Sequence, residues 1–244
     1  MENEKINLPE KRLPISPLTP EEIREAAQKR VSLITEEFKK GFEFIEKFPS
    51  SVTFFGSSRL SEDSPLYARA QGLAKRIVSE LGYAVVTGGG PGIMEAGNRG
   101  ACEAGGLSYG LTIELPDGQA VNPYVTERVG FHYFFSRKVG LSFAAEAYIF
   151  FPGGFGTLDE FFEILTLVQT KKIMQVPIIL VGNGYWQDMK NFIEKRLLEE
   201  NLIDNEDLKL FTITDNEEEI MKLIKEAPVR SSVSYRHGKS EKLK

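Results

Sequence analysis

The sequence predicts an α/β protein of Rossmann-like type, a doubly wound parallel sheet flanked by helices and preceded by one long helix. Three observations carry this expectation. Short, wholly apolar runs alternate with amphipathic segments from Val52 onward, glycine-rich turns follow three of those runs, and a stripe of apolar residues at helical spacing precedes them all. The runs are Val52–Phe55, Ala84–Thr87, Leu107–Ile113, Ala147–Phe151, Pro177–Val181 and Leu210–Thr214. A strand that is apolar throughout is buried on both faces, which requires a parallel sheet covered by helices. Right-handed crossovers then give the order 3-2-1-4-5-6.

Residues 1–18 contain Pro9, Pro14 and Pro17 and no periodicity, and read as an extended lead-in. Thr19-Pro20-Glu21-Glu22 opens the long helix, with Thr19 as N-cap, Pro20 in the first turn and Glu22 closing a capping box. Ile23, Ala27, Val31, Ile34, Phe38, Phe42 and Ile45 form its stripe, which ends near Phe48-Pro49 and packs either on its own domain or on a second subunit. The later helices are expected at Pro65–Leu81, Ile93–Ala104, about Phe134–Ala145, Thr157–Thr170, Trp186–Glu200 and Glu217–Lys225. The polar, basic end, VRSSVSYRHGKSEKLK, has almost nothing to bury and reads as a disordered tail. The expected organisation is therefore a lead-in and helix over 1–48, a nucleotide-binding domain over 49–228, and a tail over 229–244.

Composition narrows the chemistry. The chain has 244 residues, 41% of them hydrophobic and 27% charged, with a formal charge of -5. An acidic balance argues against a protein that coats nucleic acid. No stretch is long and apolar enough to span a membrane, and the first residues lack the apolar core of a secretory signal. A single cysteine, Cys102, forms no internal disulfide and fits a reducing cytoplasm. Two histidines, His132 and His237, leave little material for a histidine-rich metal site. Carboxylates, arginine and backbone dipoles are left to do the work.

Three strand-to-helix turns are built for close approach: Gly56-Ser57-Ser58-Arg59, then Thr87-Gly88-Gly89-Gly90-Pro91-Gly92, then Pro152-Gly153-Gly154-Phe155-Gly156-Thr157. Glycines let successive N–H groups converge on an anion, and the helix behind each turn adds partial positive charge. The dinucleotide fingerprint and the P-loop pattern are both absent, so a compact phosphorylated ligand such as a mononucleotide fits better. The alternative is that the glycines only make tight turns. Glu160 follows Thr157 by three residues, so it is either the far end of a capping box or an acid aimed at the same crevice. Glu163, one turn further on, reads as a supporting or surface residue, and Asp159 points elsewhere on the helix. Arg137, near the start of its helix, is either in a surface salt bridge or a clamp for a phosphate or base. The aromatics before it, Phe131-His132-Tyr133-Phe134-Phe135, read as core with one ring available to cover a base, and His132 as a packed histidine.

GGGPGIMEAGNRGA and PGGFGTLDE, with an intervening SRK, resemble the Lonely Guy family of cytokinin riboside 5′-monophosphate phosphoribohydrolases, whose bacterial members carry the older label "possible lysine decarboxylase". The similarity covers about Ser51 to Lys225. It implies a Rossmann-like fold, hydrolysis of the N-glycosidic bond of adenine-type nucleoside 5′-monophosphates, no cofactor and no metal, and a homodimer with some members assembling further. By position it implies Glu160 and Arg137 as catalytic residues. It implies binding roles for Ser57, Gly88, Gly89, Gly90, Gly92, Met94, Lys138, Gly153, Gly154, Gly156, Thr157 and Thr166. Glu95 stands where plant members have glycine, and the long helix is absent from compact members; both bear on base preference and assembly. The competing class is a nucleotide- or cofactor-binding carrier that does not hydrolyse its ligand.

Overall fold

The computed structural model describes residues 18–47, 50–114 and 120–228; the expected tail and most of the lead-in lie outside them. Helix α1 (Pro20–Ile45) starts where the capping box puts it. Thr19 Oγ1 accepts from Glu22 N, and Glu22 in turn accepts from the Thr19 backbone. The chain divides inside this helix into two compact units, residues 1–36 and 37–244, whereas the composition shift falls after residue 48. The first unit leaves Ile23, Val31 and Leu33 exposed. In the second unit Gly41, Phe44 and Ile45 are buried, and this burial draws the end of α1 into the larger body. Only the last part of the apolar stripe is therefore core.

Among the described residues, seven strands form one parallel sheet in the order β4-β3-β2-β1-β5-β6-β7. They are β1 (Ser51–Phe55), β2 (Ala84–Thr87), β3 (Ser108–Ile113), β4 (Glu127–Phe131), β5 (Ala147–Phe150), β6 (Ile178–Leu180) and β7 (Thr212–Ile213). The helices after α1 are α2 (Pro65–Arg76), α3 (Ile93–Glu103), α4 (Phe134–Phe143), α5 (Phe155–Gln169), α6 (Asn183–Phe192) and α7 (Glu217–Lys225). α2 ends in a π-helical turn, Ile77–Leu81. Every residue of β1, β2, β3, β5 and β6 is buried, which is why those strands read as continuous apolar runs. Two apolar clusters, one on each face, hold the helices to the sheet.

The expected six-strand order survives with one strand added. β4 pairs with β3 at the sheet edge, yet only Phe131 of its five residues is buried. Its sequence, ERVGF, has the charge of a protected edge rather than the pattern of a core strand, and so it escapes a search for apolar runs. The feature that matters for function is the position of β1. It pairs with β2 on one side and β5 on the other, so the strand order reverses there and a crevice opens beyond its carboxyl end.

Candidate active site

All three glycine turns meet at that crevice, joined through one residue. Ser57 N–H donates to Pro152 O at 3.0 Å, and Ser57 O accepts from Ile93 N at 3.0 Å. The loop after β1 is thus stitched to the loop after β5 and to the start of α3. Between them lies a cavity of about 710 Å³, large enough for a nucleotide-sized ligand.

The loop after β5 supplies the anion-binding wall. α5 begins at Phe155 with Gly154 as N-cap, and Leu158 N donating to Gly154 O closes its first turn. The N–H groups of Phe155, Gly156 and Thr157 therefore precede the helical ladder and face the cavity end of the dipole. This start lies two residues before the expected one. Thr157 is inside the helix rather than capping it, so the capping-box reading of Thr157 and Glu160 does not hold. Glu160 stands one turn further along and lines the same cavity. Gly153 packs so closely on the Thr157 side chain and Ser57 N that a Cβ would displace them.

The loop after β2 contributes differently. Gly88 lines the cavity, and a Cβ there would collide with the Arg137 guanidinium and come within 2.7 Å of Met94 Sδ. The next residues are bound by the protein itself. Gly89 N–H donates to Thr87 Oγ1 at 2.8 Å and Gly89 O accepts from Asn122 N at 2.9 Å. Gly90 O accepts from Asn122 Nδ2 at 2.9 Å. Gly92 holds φ at 71° with Ser58 Cα where a Cβ would be 2.8 Å away. Asn98, wholly buried, joins Thr87, Ser108 and Asn122 beneath the loop.

Arg137 reaches the cavity from α4 with only 7% of its surface exposed, its Nε donating to Leu111 O at 2.7 Å. Burial pulls its pKa down, and the charge of Glu160 pulls it back. Burial raises the Glu160 carboxyl to about 7, against the opposing pull of Arg137. Their charges interact across the cavity without a direct ion pair. That leaves room for a ligand between an acid poised near neutrality and a desolvated cation, a combination typical of sites that do chemistry.

The structure therefore brings Ser57, Gly88, Met94, Arg137, Gly153, Gly154, Gly156, Thr157 and Glu160 to one cavity. It does not bring Gly89, Gly90, Gly92, Lys138 or Thr166 to the cavity wall. The glycines are consumed in the turn described above. Lys138 is held by Asp159 at 3.0 Å and Glu163 at 2.9 Å, which ties α4 to α5. Thr166 is exposed about three turns down α5, its carbonyl accepting from Thr170. His132 is exposed rather than packed, edge-on to Tyr133. Arg59, Phe134 and Phe155 also line the cavity without having been singled out as site residues. Arg59 makes no ion pair among the described residues. Phe155 is 93% exposed at the mouth. Arg59 was legible as the last residue of the first turn, Phe134 as one ring of the stretch read as available to cover a base, and Phe155 only as a member of the third turn.

A family model described as "Possible lysine decarboxylase" matches residues 94–224, more than half of the chain. The chain belongs to this family. A cytokinin riboside 5′-monophosphate phosphoribohydrolase of Rhodococcoides fascians is 28% identical over 155 residues, covering 62% of this chain and 77% of that protein. A probable enzyme of the same name from Arabidopsis thaliana is 31% identical over 159 residues, covering 63% and 76%. Among solved structures, the X-ray structure of TM1055 is 28% identical with a TM-score of 0.55, covering 72% of this chain and 98% of that one. The molybdenum cofactor binding protein of Rippkaea orientalis shares the fold at 20% identity and a TM-score of 0.57, covering 73% and 97%. The family thus spans residues from α3 to α7, and both Arg137 and Glu160 fall inside the matched segment.

Proposed function

We propose that the cavity binds a nucleoside 5′-monophosphate of adenine type and hydrolyses its N-glycosidic bond, giving free base and ribose 5-phosphate. The observation that carries this reading is the pairing of Glu160 with Arg137 across a cavity whose floor is the open start of α5. The relatives named phosphoribohydrolases support it.

The phosphate sits on the N–H groups of Phe155, Gly156 and Thr157, with Arg59 as its side-chain counter-charge. Anchoring the remote phosphate aligns the sugar, so binding energy is used for orientation at the reacting carbon. Cleavage passes through an oxocarbenium-like state. The Glu160 carboxylate, one turn from the phosphate, stabilises that cation and orients and deprotonates the attacking water. Arg137 holds the base or ribose and favours departure of the base. The apolar wall of Met94, Ile113 and Phe134 accommodates the base. The exposed rings of Phe134 and Phe155 at the mouth suit a homodimer in which a second copy covers them.

A carrier that binds a nucleotide or cofactor without hydrolysis is the competing reading, and the cofactor-binding neighbours share the fold alone. A half-buried acid raised to about 7 on the same cavity wall as a buried arginine favours chemistry over storage. The test is to incubate the protein with adenine nucleosides and their mono-, di- and triphosphates and follow free base by chromatography. Base and ribose 5-phosphate should appear from the monophosphate and far more slowly from the nucleoside, and Glu160→Gln should lower turnover by about two to three orders of magnitude. A bound nucleotide that stays intact for hours would establish the carrier instead. Equal rates on nucleoside and monophosphate would overturn the phosphate-anchored mechanism.

A further inference from the structure

The helix that presents Arg137 is capped by a residue from outside it. α4 has Tyr133 at its N-cap position, and no side chain of its own caps it. A helix start leaves N–H groups unsatisfied. Here Glu37 of α1, the first residue of the larger compact unit, provides the missing acceptor. Its carboxylate accepts from His132 N at 2.7 Å, from Tyr133 N at 3.4 Å and from Ser136 Oγ at 2.5 Å. Ser136 Oγ, whose single proton goes to the carboxylate, also lies 2.9 Å from Tyr133 O, and Arg137 N donates to that carbonyl at 3.2 Å. One carboxylate therefore fixes the backbone turn from which the arginine side chain departs, and its negative charge sits at the positive end of the helix.

The surrounding contacts keep Glu37 in place. The Phe38 ring lies 6.4 Å from that of Phe135, the Phe42 ring 5.7 Å from that of Phe143, and Gly41 abuts the Phe131 ring. The Arg137 guanidinium has little freedom to compensate for a shift of its backbone. Its Nε is bonded to Leu111 O, and Gly88 leaves just enough space for its tip.

We propose that Glu37 is a positioning residue for Arg137, which makes the end of α1 part of the catalytic apparatus rather than an appendage to it. This rests on the catalytic role proposed for Arg137. The experiment is a double-mutant cycle on base release from AMP with wild type, Glu37→Ala, Arg137→Ala and the double variant, with Glu37→Gln alongside and thermal melting of each. Glu37→Ala should lower kcat about 10- to 100-fold with KM changed less than about threefold. Glu37→Gln, which keeps one acceptor oxygen, should recover a large part of that loss. In the Arg137→Ala background the Glu37 substitution should cost nothing further, because the group it positions has gone. Should Glu37→Ala fail to fold, Glu37→Leu, which keeps the bulk of the stem without an acceptor, takes its place in the cycle. Equal losses from the Glu37 substitution in both backgrounds, or no loss in either, would overturn the inference while leaving Arg137 catalytic. Full activity of Arg137→Ala would instead overturn the role of the arginine, and with it this inference.

Discussion

The loops after β2 and β5 have nearly the same composition and opposite uses. The β2 loop spends its polar backbone on the protein: Gly89 and Gly90 are bonded to Asn122, and Thr87 and Asn98 close the network underneath. In the β5 loop the carbonyls of Pro152, Gly153 and Gly154 are taken by Ser57 N, Tyr185 Oη and Leu158 N, while the first N–H groups of α5 stand ahead of its ladder at the cavity wall. At Gly154 and Gly156 an added Cβ would meet nothing within 4 Å, whereas at Gly92 it would strike the backbone of Ser57 and Ser58. Glycine is needed at Gly92, as at Gly153, because the chain is crowded by itself, whereas at Gly154 and Gly156 space is kept for something else.

Gly88 is where this contrast can be broken most visibly, being the glycine of the β2 loop that faces the cavity. Gly88→Ala should displace the Arg137 guanidinium and lower kcat about 100-fold, read by steady-state base release. A smaller effect than that of Gly154→Ala would mean that the arginine does not act from its present position.

The pH profile sharpens the role of α5. With Glu160 raised from 4.5 to about 7 by burial, turnover that depends on its carboxylate should fall about tenfold per unit below pH 7, and Glu160→Gln should lose that limb. Stability should run the other way. Between pH 4.5 and 7 the folded protein keeps a proton that the unfolded chain has released, so the wild type is favoured at low pH and loses that advantage as pH rises through 7. Thermal melting should therefore show Glu160→Gln gaining on the wild type across that window and holding its gain above it. An unchanged difference between pH 4 and pH 8 would contradict an acid raised to about 7.

The smallest effects come from comparing the loops directly. Gly154→Ala and Gly156→Ala should raise KM for the monophosphate about five- to tenfold with melting temperature held or slightly raised. Asn122→Ala should leave KM within about twofold and cost about 1–3 kcal/mol in denaturant unfolding, because Gly90 O and Asn98 Oδ1 lose a buried donor. The reverse pattern would mean that the β2 loop is the ligand's main anchor.

The sequence carried the sheet where burial is two-sided and lost it where burial is one residue deep. β2 and α7 fall at the residues their patterns predict, while β4 escapes because ERVGF presents Glu127, Arg128 and Gly130 to solvent. Glu160 and Arg137 were legible as residues of the crevice through a family resemblance, Arg137 also through its odd position at a helix start and Glu160 through its place one turn behind the third glycine turn. The division of labour between the glycine loops was not. It depends on Asn122, more than thirty residues away, which folds back to consume the β2 loop's carbonyls, and no local pattern reports that. Lys138 was drawn into the site by the family resemblance, although the helical turn sends it toward Asp159 and Glu163.

Ser57 has a peptide group bonded on both sides, to Pro152 and to Ile93, and this makes the base of the pocket a single stapled plate. Such a plate has no hinge with which to wrap its guest. Entry and exit then run past the rim, so with a second copy seated on Phe134 and Phe155 the slow step of a turnover cycle would lie at that seam rather than in any swing of the glycine turns.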